Sequence, residues 1–120
     1  MATNRIRAKM SLAGYGQGAA EGVYEYDHVY RSSGNFVNTF QTVEGAAALD
    51  VSGLSLTGAT IMIKNHSSIA NVDVLVASEN VFASIPPHRS MMWTNGSQTI
   101  NVVASGGGTS CEIEILALEA

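Results

Sequence analysis

Charge is what this chain has least of. Charged residues make up 13% of its 120 positions, about half the ~25% typical of soluble domains, so Ser, Thr, Asn, Gly and Ala must dominate the surface. Taking a hydroxyl or a small apolar group out of water costs far less than taking out an unpaired charge, and such a surface suits extensive contact with other subunits. The net charge of −4 argues against a general nucleic-acid binder, which needs clustered Lys and Arg to displace counterions from phosphates. Cys111 is the single cysteine. It excludes an intrachain disulfide and reads as a buried small hydrophobe. No run approaches the ~18 apolar residues of a membrane span, and the first twenty residues lack the apolar block of a signal peptide. The expectation is a protein made and kept in a cytosol, with no membrane partner.

Chemistry is also missing. His28, His66 and His88 are far apart and have no Cys or carboxylate at metal-ligand spacing. Cys111 lies in an apolar segment without the exposed, electropositive setting that activates a thiol. Gly14-x-Gly16-x-x-Ala19 resembles a relaxed dinucleotide fingerprint, but it follows a poor strand and Gly22 interrupts the helix it would need. Asn65-His66-Ser67 and Asn95-Gly96-Ser97 match a glycosylation pattern and, without a secretory signal, read as turns. No catalytic residue, metal or cofactor is expected, and the chain does not read as an enzyme.

What is present is period-two hydrophobicity, concentrated after residue 58. Ala59 to Asn65 sets Ile61 and Ile63 against Met62 and Lys64, and Val72 to Ala77 is apolar enough on both sides for a central strand. Asn80 to Ile85 runs into Pro86-Pro87, which cannot donate to a ladder, so that strand ends there or lies at an edge. Ser90 to Thr94 and Thr99 to Ala104 flank Asn95-Gly96, a strong two-residue hairpin signal. After the Gly106-Gly107-Gly108 turn, Cys111 to Leu118 places Ile113, Ile115 and Ala117 opposite Glu112, Glu114 and Leu116. Six short strands at this spacing describe an all-β, antiparallel sandwich or jelly-roll-like barrel over residues 36–120.

Residues 1–35 read as a less regular N-terminal extension. Thr39 to Val43 and Ala46 to Val51, just beyond it, are further strand candidates. Within it, Asn4 to Ala13 has Ile6, Met10 and Ala13 at near-helical spacing and is a candidate short helix. Arg5, Arg7 and Lys9 form a small basic arm, open to three readings: a solvated terminus, a dock for an acidic neighbouring surface, or a nucleic-acid contact. Tyr24, Tyr26, His28 and Tyr30 alternate onto one face of Val23 to Tyr30. Tyrosine offers large contact area and one hydrogen bond, so the stripe either covers this protein's own core, meets another subunit, or stacks a sugar or base.

The segments Ala59–Asn65 and Val72–Ser78, the Ile85-Pro86-Pro87 edge, the Asn95-Gly96 turn and the closing strand Cys111–Leu118 together resemble the small β-sandwich accessory proteins of tailed-bacteriophage particles, capsid decoration or cement proteins above all. The likeness spans about half the chain. It implies a cofactor-free structural protein of the virion, assembled in the host cytoplasm. Such a protein binds the outside of an icosahedral shell as a homo-oligomer, a trimer first, and bridges major capsid protein or other virion subunits. Arg5, Arg7, Lys9, Tyr24, Tyr26 and Tyr30 would then be the interface residues. A head-tail, neck or tail subunit is the alternative within the particle, and a carbohydrate-binding module using the tyrosines and Trp93 is the alternative outside it.

Overall fold

The computed structural model describes residues 4–14, 22–32, 34–77, 80–106 and 110–120, and every regular element among them is a strand. Alternating apolar residues bury one face of the strands that build the core, and β-branched side chains pack well on a pleated surface. Strand β1 (Asn4–Gly14) and strand β2 (Gly22–Ser32) pair with each other alone as a two-stranded antiparallel ribbon. The remaining strands are β3 (Phe36–Glu44), β4 (Ala46–Ala48), β5 (Thr60–Asn65), β6 (Ala70–Val76), β7 (Asn80–Ile85), β8 (Ser90–Thr94), β9 (Ile100–Gly106) and β10 (Ser110–Leu118). They form two four-stranded antiparallel sheets, a front sheet in the order β3-β10-β5-β8 and a back sheet in the order β4-β9-β6-β7. This is the expected all-β sandwich.

The core is the space between the sheets. Ile61 and Ile63 of β5, Ile113 and Ile115 of β10 and Val43 of β3 meet Val72 and Val74 of β6 and Val102 of β9, all with no exposed surface. Leu49, Val51 and Leu54 of the β4–β5 connection are also buried in this cluster. On one side the chain itself closes the sandwich: Gly45, at φ +67°, turns β3 of the front sheet into β4 of the back sheet. On the other side Phe82 of β7 and Trp93 of β8 set their rings 5.6 Å apart, a tilted aromatic pair across the gap.

Two local expectations are corrected. Asn4 to Ala13 is strand β1, not a helix. Ile6, Ala8, Met10 and Leu12 also alternate, and eleven consecutive partners on β2 supply the backbone hydrogen bonds that a helix would have made internally. Asn95-Gly96 does not join a hairpin, because β8 pairs with β5 in the front sheet while β9 pairs with β4 and β6 in the back sheet. A tight hairpin of that type needs positive φ at both turn residues. Here neither has it, and Asn95 is instead drawn inward, 1% exposed, with its amide nitrogen donating to the carbonyls of Leu56 and Ser97. The β6 strand is central and β7 is an edge that stops at Ile85, as the prolines require.

Candidate interaction surface

The ribbon departs from the sandwich at a fixed point. The backbone N–H of Glu119 donates to the carbonyl of Asn35 at 2.9 Å, and a methyl group added at Gly34 would fall 2.8 Å from the Glu119 Cβ. Beyond that junction each ribbon strand runs eleven residues, about 35 Å at ~3.3 Å per residue. The radius of gyration is 15.7 Å, against about 13.6 Å for a compact domain of this length.

The register defines two ribbon faces. Ile6, Met10 and Leu12 stand opposite Tyr30, Tyr26 and Tyr24, whereas Arg5, Arg7, Lys9 and Ser11 stand opposite Arg31, Val29, Asp27 and Glu25. The tyrosine positions therefore share a face with the aliphatic positions of β1, and the charged positions share the other. How the tyrosine side chains sit lies outside the described residues, as does the glycine-rich segment 15–20. The predicted basic residues are brought together, but they are not equivalent. The Arg7 guanidinium grips Asp27 with two donors, Nε to Oδ1 at 2.9 Å and Nη2 to Oδ2 at 2.6 Å. Those hydrogen bonds hold the Asp27 carboxyl below its ordinary range, against a smaller desolvation effect, and raise Arg7 above its own. Arg7 thus clips β1 to β2, while Arg5 and Lys9 are exposed and make no salt bridge among the described residues.

The outer face of the front sheet divides in two. Toward β8, Met62, Met92 and Leu116 form a lateral row and are half-buried, with Arg7, Ala8 and Lys9 of β1 across a cleft of about 420 Å³. Toward β3 the face is open: Phe40 is 57% exposed and Phe36 43%. Around Phe40 stand Glu44, Glu112 and Glu114, with Lys64 opposite Glu114 in the register. His66 Nε2 lies 3.0 Å from Glu114 Oε1 and its ring packs against Phe40 at 5.6 Å. The alternation of these phenylalanines with Val37, Thr39 and Gln41 is the one sequence signal that places them on the face away from the core.

Among the described residues no group of three His, Cys, Asp or Glu side chains is placed to hold a metal. Cys111 is 2% exposed, its thiol donates to Asn65 Oδ1, and burial pushes its pKa up. Trp93 packs on the core and on Phe82, and its indole N–H donates to Asn95 Oδ1 at 3.3 Å.

A β-sandwich with an appended two-stranded ribbon is the class that this fold defines. No protein-family model matches the chain, and no curated protein matches it either. Among solved structures a similar chain is PliG of Aeromonas hydrophila, a periplasmic lysozyme inhibitor of g-type lysozyme. It is 10% identical, the match covers 71% of this chain and 86% of that one, and the TM-score is 0.44, a likeness that carries no argument.

Proposed function

We propose that this chain is a structural subunit of a virus particle, a decoration or cement protein that binds the outside of an icosahedral phage capsid as an oligomer. The observation that supports it is the ribbon. Two strands alone are marginal in water, and among the described residues the buried core draws no side chain from β1 or β2. A ribbon about 35 Å long with an aliphatic and tyrosine face is wasted on a free monomer and suited to lying on another subunit. The sandwich, low in charge and with no unpaired buried side-chain polar atom among the described residues, supplies a rigid body for it. The same geometry serves a neck or tail subunit equally well. The carbohydrate-binding reading is weakened, because Trp93 spends its ring on the core and Phe82 and leaves the tyrosines to stack a sugar alone.

Imaging of purified particles carrying the tagged chain tests this. Density at hundreds of equivalent positions on the shell is the expected result, a single ring at the neck or tail moves the protein to the alternative, and absence from particles rejects the reading. Removing residues 1–35 should abolish incorporation; unchanged incorporation would mean that the ribbon is not the contact.

A further inference from the structure

We infer that the ribbon of one copy docks on the open β3 side of the front sheet of a second copy, cationic face to acidic face. This rests on the reading of the chain as an assembly subunit and names the surfaces that join. Three observations carry it. The first is the division of charge: β1 and β2 hold Arg5, Arg7, Lys9 and Arg31 against Glu25 and Asp27, a net +2, whereas residues 36–120 hold Lys64 and Arg89 against seven acids, a net −5. Of the ribbon acids, Asp27 is already taken by Arg7.

The second is that Arg5 and Arg31 stand directly opposite each other in the register. Two cationic positions thus share one end of the ribbon on its charged face, and at this end Arg5 is exposed. The third is the open half of the front sheet. Phe36 and Phe40 are large, exposed and on the same outward face as Glu44 and Glu112. The protein's own ribbon reaches the other half, at Met62, Met92 and Leu116. The acids that rim this apolar patch complement the charged face of the ribbon, where Arg5 and Lys9 are exposed.

The two edges of the back sheet suit this contact less well. On β7 the register slips between Val74 and Leu75, leaving Phe82 as an extra residue, and Pro86-Pro87 follows the strand; a bulge and prolines both discourage pairing. Strand β4 has only three residues. Because ribbon and acceptor are different surfaces, the contact is made twice in a reciprocal two-fold dimer or repeats around a ring or along a filament, according to its rotation.

The test is charge reversal in the full-length chain, read by light scattering and analytical ultracentrifugation at about 50 and about 500 mM salt, where exposed ion pairs are weakly and strongly screened. The wild-type chain should self-associate, and do so at least ~10-fold more weakly at the higher salt. R5E with R31E keeps like charges opposite within the ribbon, so it does not worsen the ribbon's own pairing, and it should weaken association by ~10-fold or more. E44K with E112K should do the same, and all four changes in one chain should restore association to within a few-fold of wild type. Circular dichroism confirms that each variant is folded. A wild-type chain that stays monomeric at low salt, reversal variants that associate normally, or a folded four-fold variant that stays dissociated would each overturn the inference. Ribbon variants that fail to enter particles while self-associating normally would assign the ribbon to the shell instead, overturning this contact and leaving the proposed function standing.

Discussion

Asn65 and Asn95 show what a single polar side chain does inside a sandwich. Asn65 has no exposed surface, and its amide reaches four partners. Nδ2 donates to the carbonyls of Ala70 and Ile85 at 2.8 and 3.0 Å, and Oδ1 accepts from the backbone N–H of Ser67 and from the Cys111 thiol. One side chain thereby ties the end of β5 to the start of β6, the end of β7 and the first turn of β10. Asn95 does the corresponding work where β8 leaves the front sheet, joining the carbonyls of Leu56 and Ser97 to the Trp93 indole. Removing such a side chain strands its partners, and each orphaned buried group costs roughly 1–3 kcal/mol. Asn65→Ala should therefore lose about 3 kcal/mol or more of unfolding free energy, read as a lower urea midpoint at unchanged slope. Asn71→Ala, at the half-buried position between buried Ala70 and Val72 and on the opposite face of β6, serves as the milder control.

At the scale of elements, two features set the outline of the molecule: the bend between β3 and β4, and the clip within the ribbon. Gly45 takes φ +67° with open space where a Cβ would stand, and its carbonyl accepts from the Ala104 N–H at 2.9 Å. A side chain there meets no neighbour but must adopt a left-handed backbone. Gly45→Ala should cost about 1 kcal/mol, seen as a small loss in chemical denaturation, with Gly45→Asn costing less because Asn tolerates that region better. In the ribbon the Asp27 carboxylate holds its proton less tightly than in the unfolded chain, because Arg7 hydrogen-bonds the charged form. Its contribution is thus present above the unfolded carboxylate range and lost as pH falls through the lower folded value. Amide exchange in β1 and β2 should stay slow relative to Asp27→Asn near neutrality and converge with that variant as pH falls below the ordinary carboxylate range. Equal exchange at all pH values would mean that the clip does not hold the ribbon.

Over the whole molecule the sandwich and the ribbon divide the work. Among the described residues every member of the buried cluster lies between Val43 and Leu118, so deletion of residues 1–35 should leave a cooperative thermal transition within a few degrees of the full chain. It removes the Asn35 carbonyl bond to Glu119, worth about 1 kcal/mol, and the cover that Arg7, Ala8 and Lys9 give to Met62, Met92 and Leu116. A drop well beyond that, or loss of cooperativity, would show the ribbon to be part of the folding unit. The exposed Phe36 and Phe40 remain in the truncated chain, which should therefore keep the acceptor surface while losing the arm.

The sandwich was legible in the chain because period two is a local property: Ile61 and Ile63, Val72 and Val74, or Ile113 and Ile115 must share a face once the segment is extended, whatever lies across from it. The small basic arm could be seen for the same reason, since Arg5, Arg7 and Lys9 are neighbours in sequence. Partner choice was not legible. Asn95-Gly96 carries a hairpin signal between two good strands, yet those strands belong to opposite sheets and Asn95 is buried, bonded to Leu56, which is far away in the sequence, and to Ser97. The helical spacing of Ile6, Met10 and Ala13 gave way to a strand because β2 offered an eleven-residue partner. The amino-acid sequence by itself determined which faces are apolar and where charge is scarce. Only the tertiary structure decided that Arg7 spends its charge on Asp27, that Arg5 faces Arg31, and that Phe36 and Phe40 stay uncovered, since each depends on segments brought together by long-range pairing.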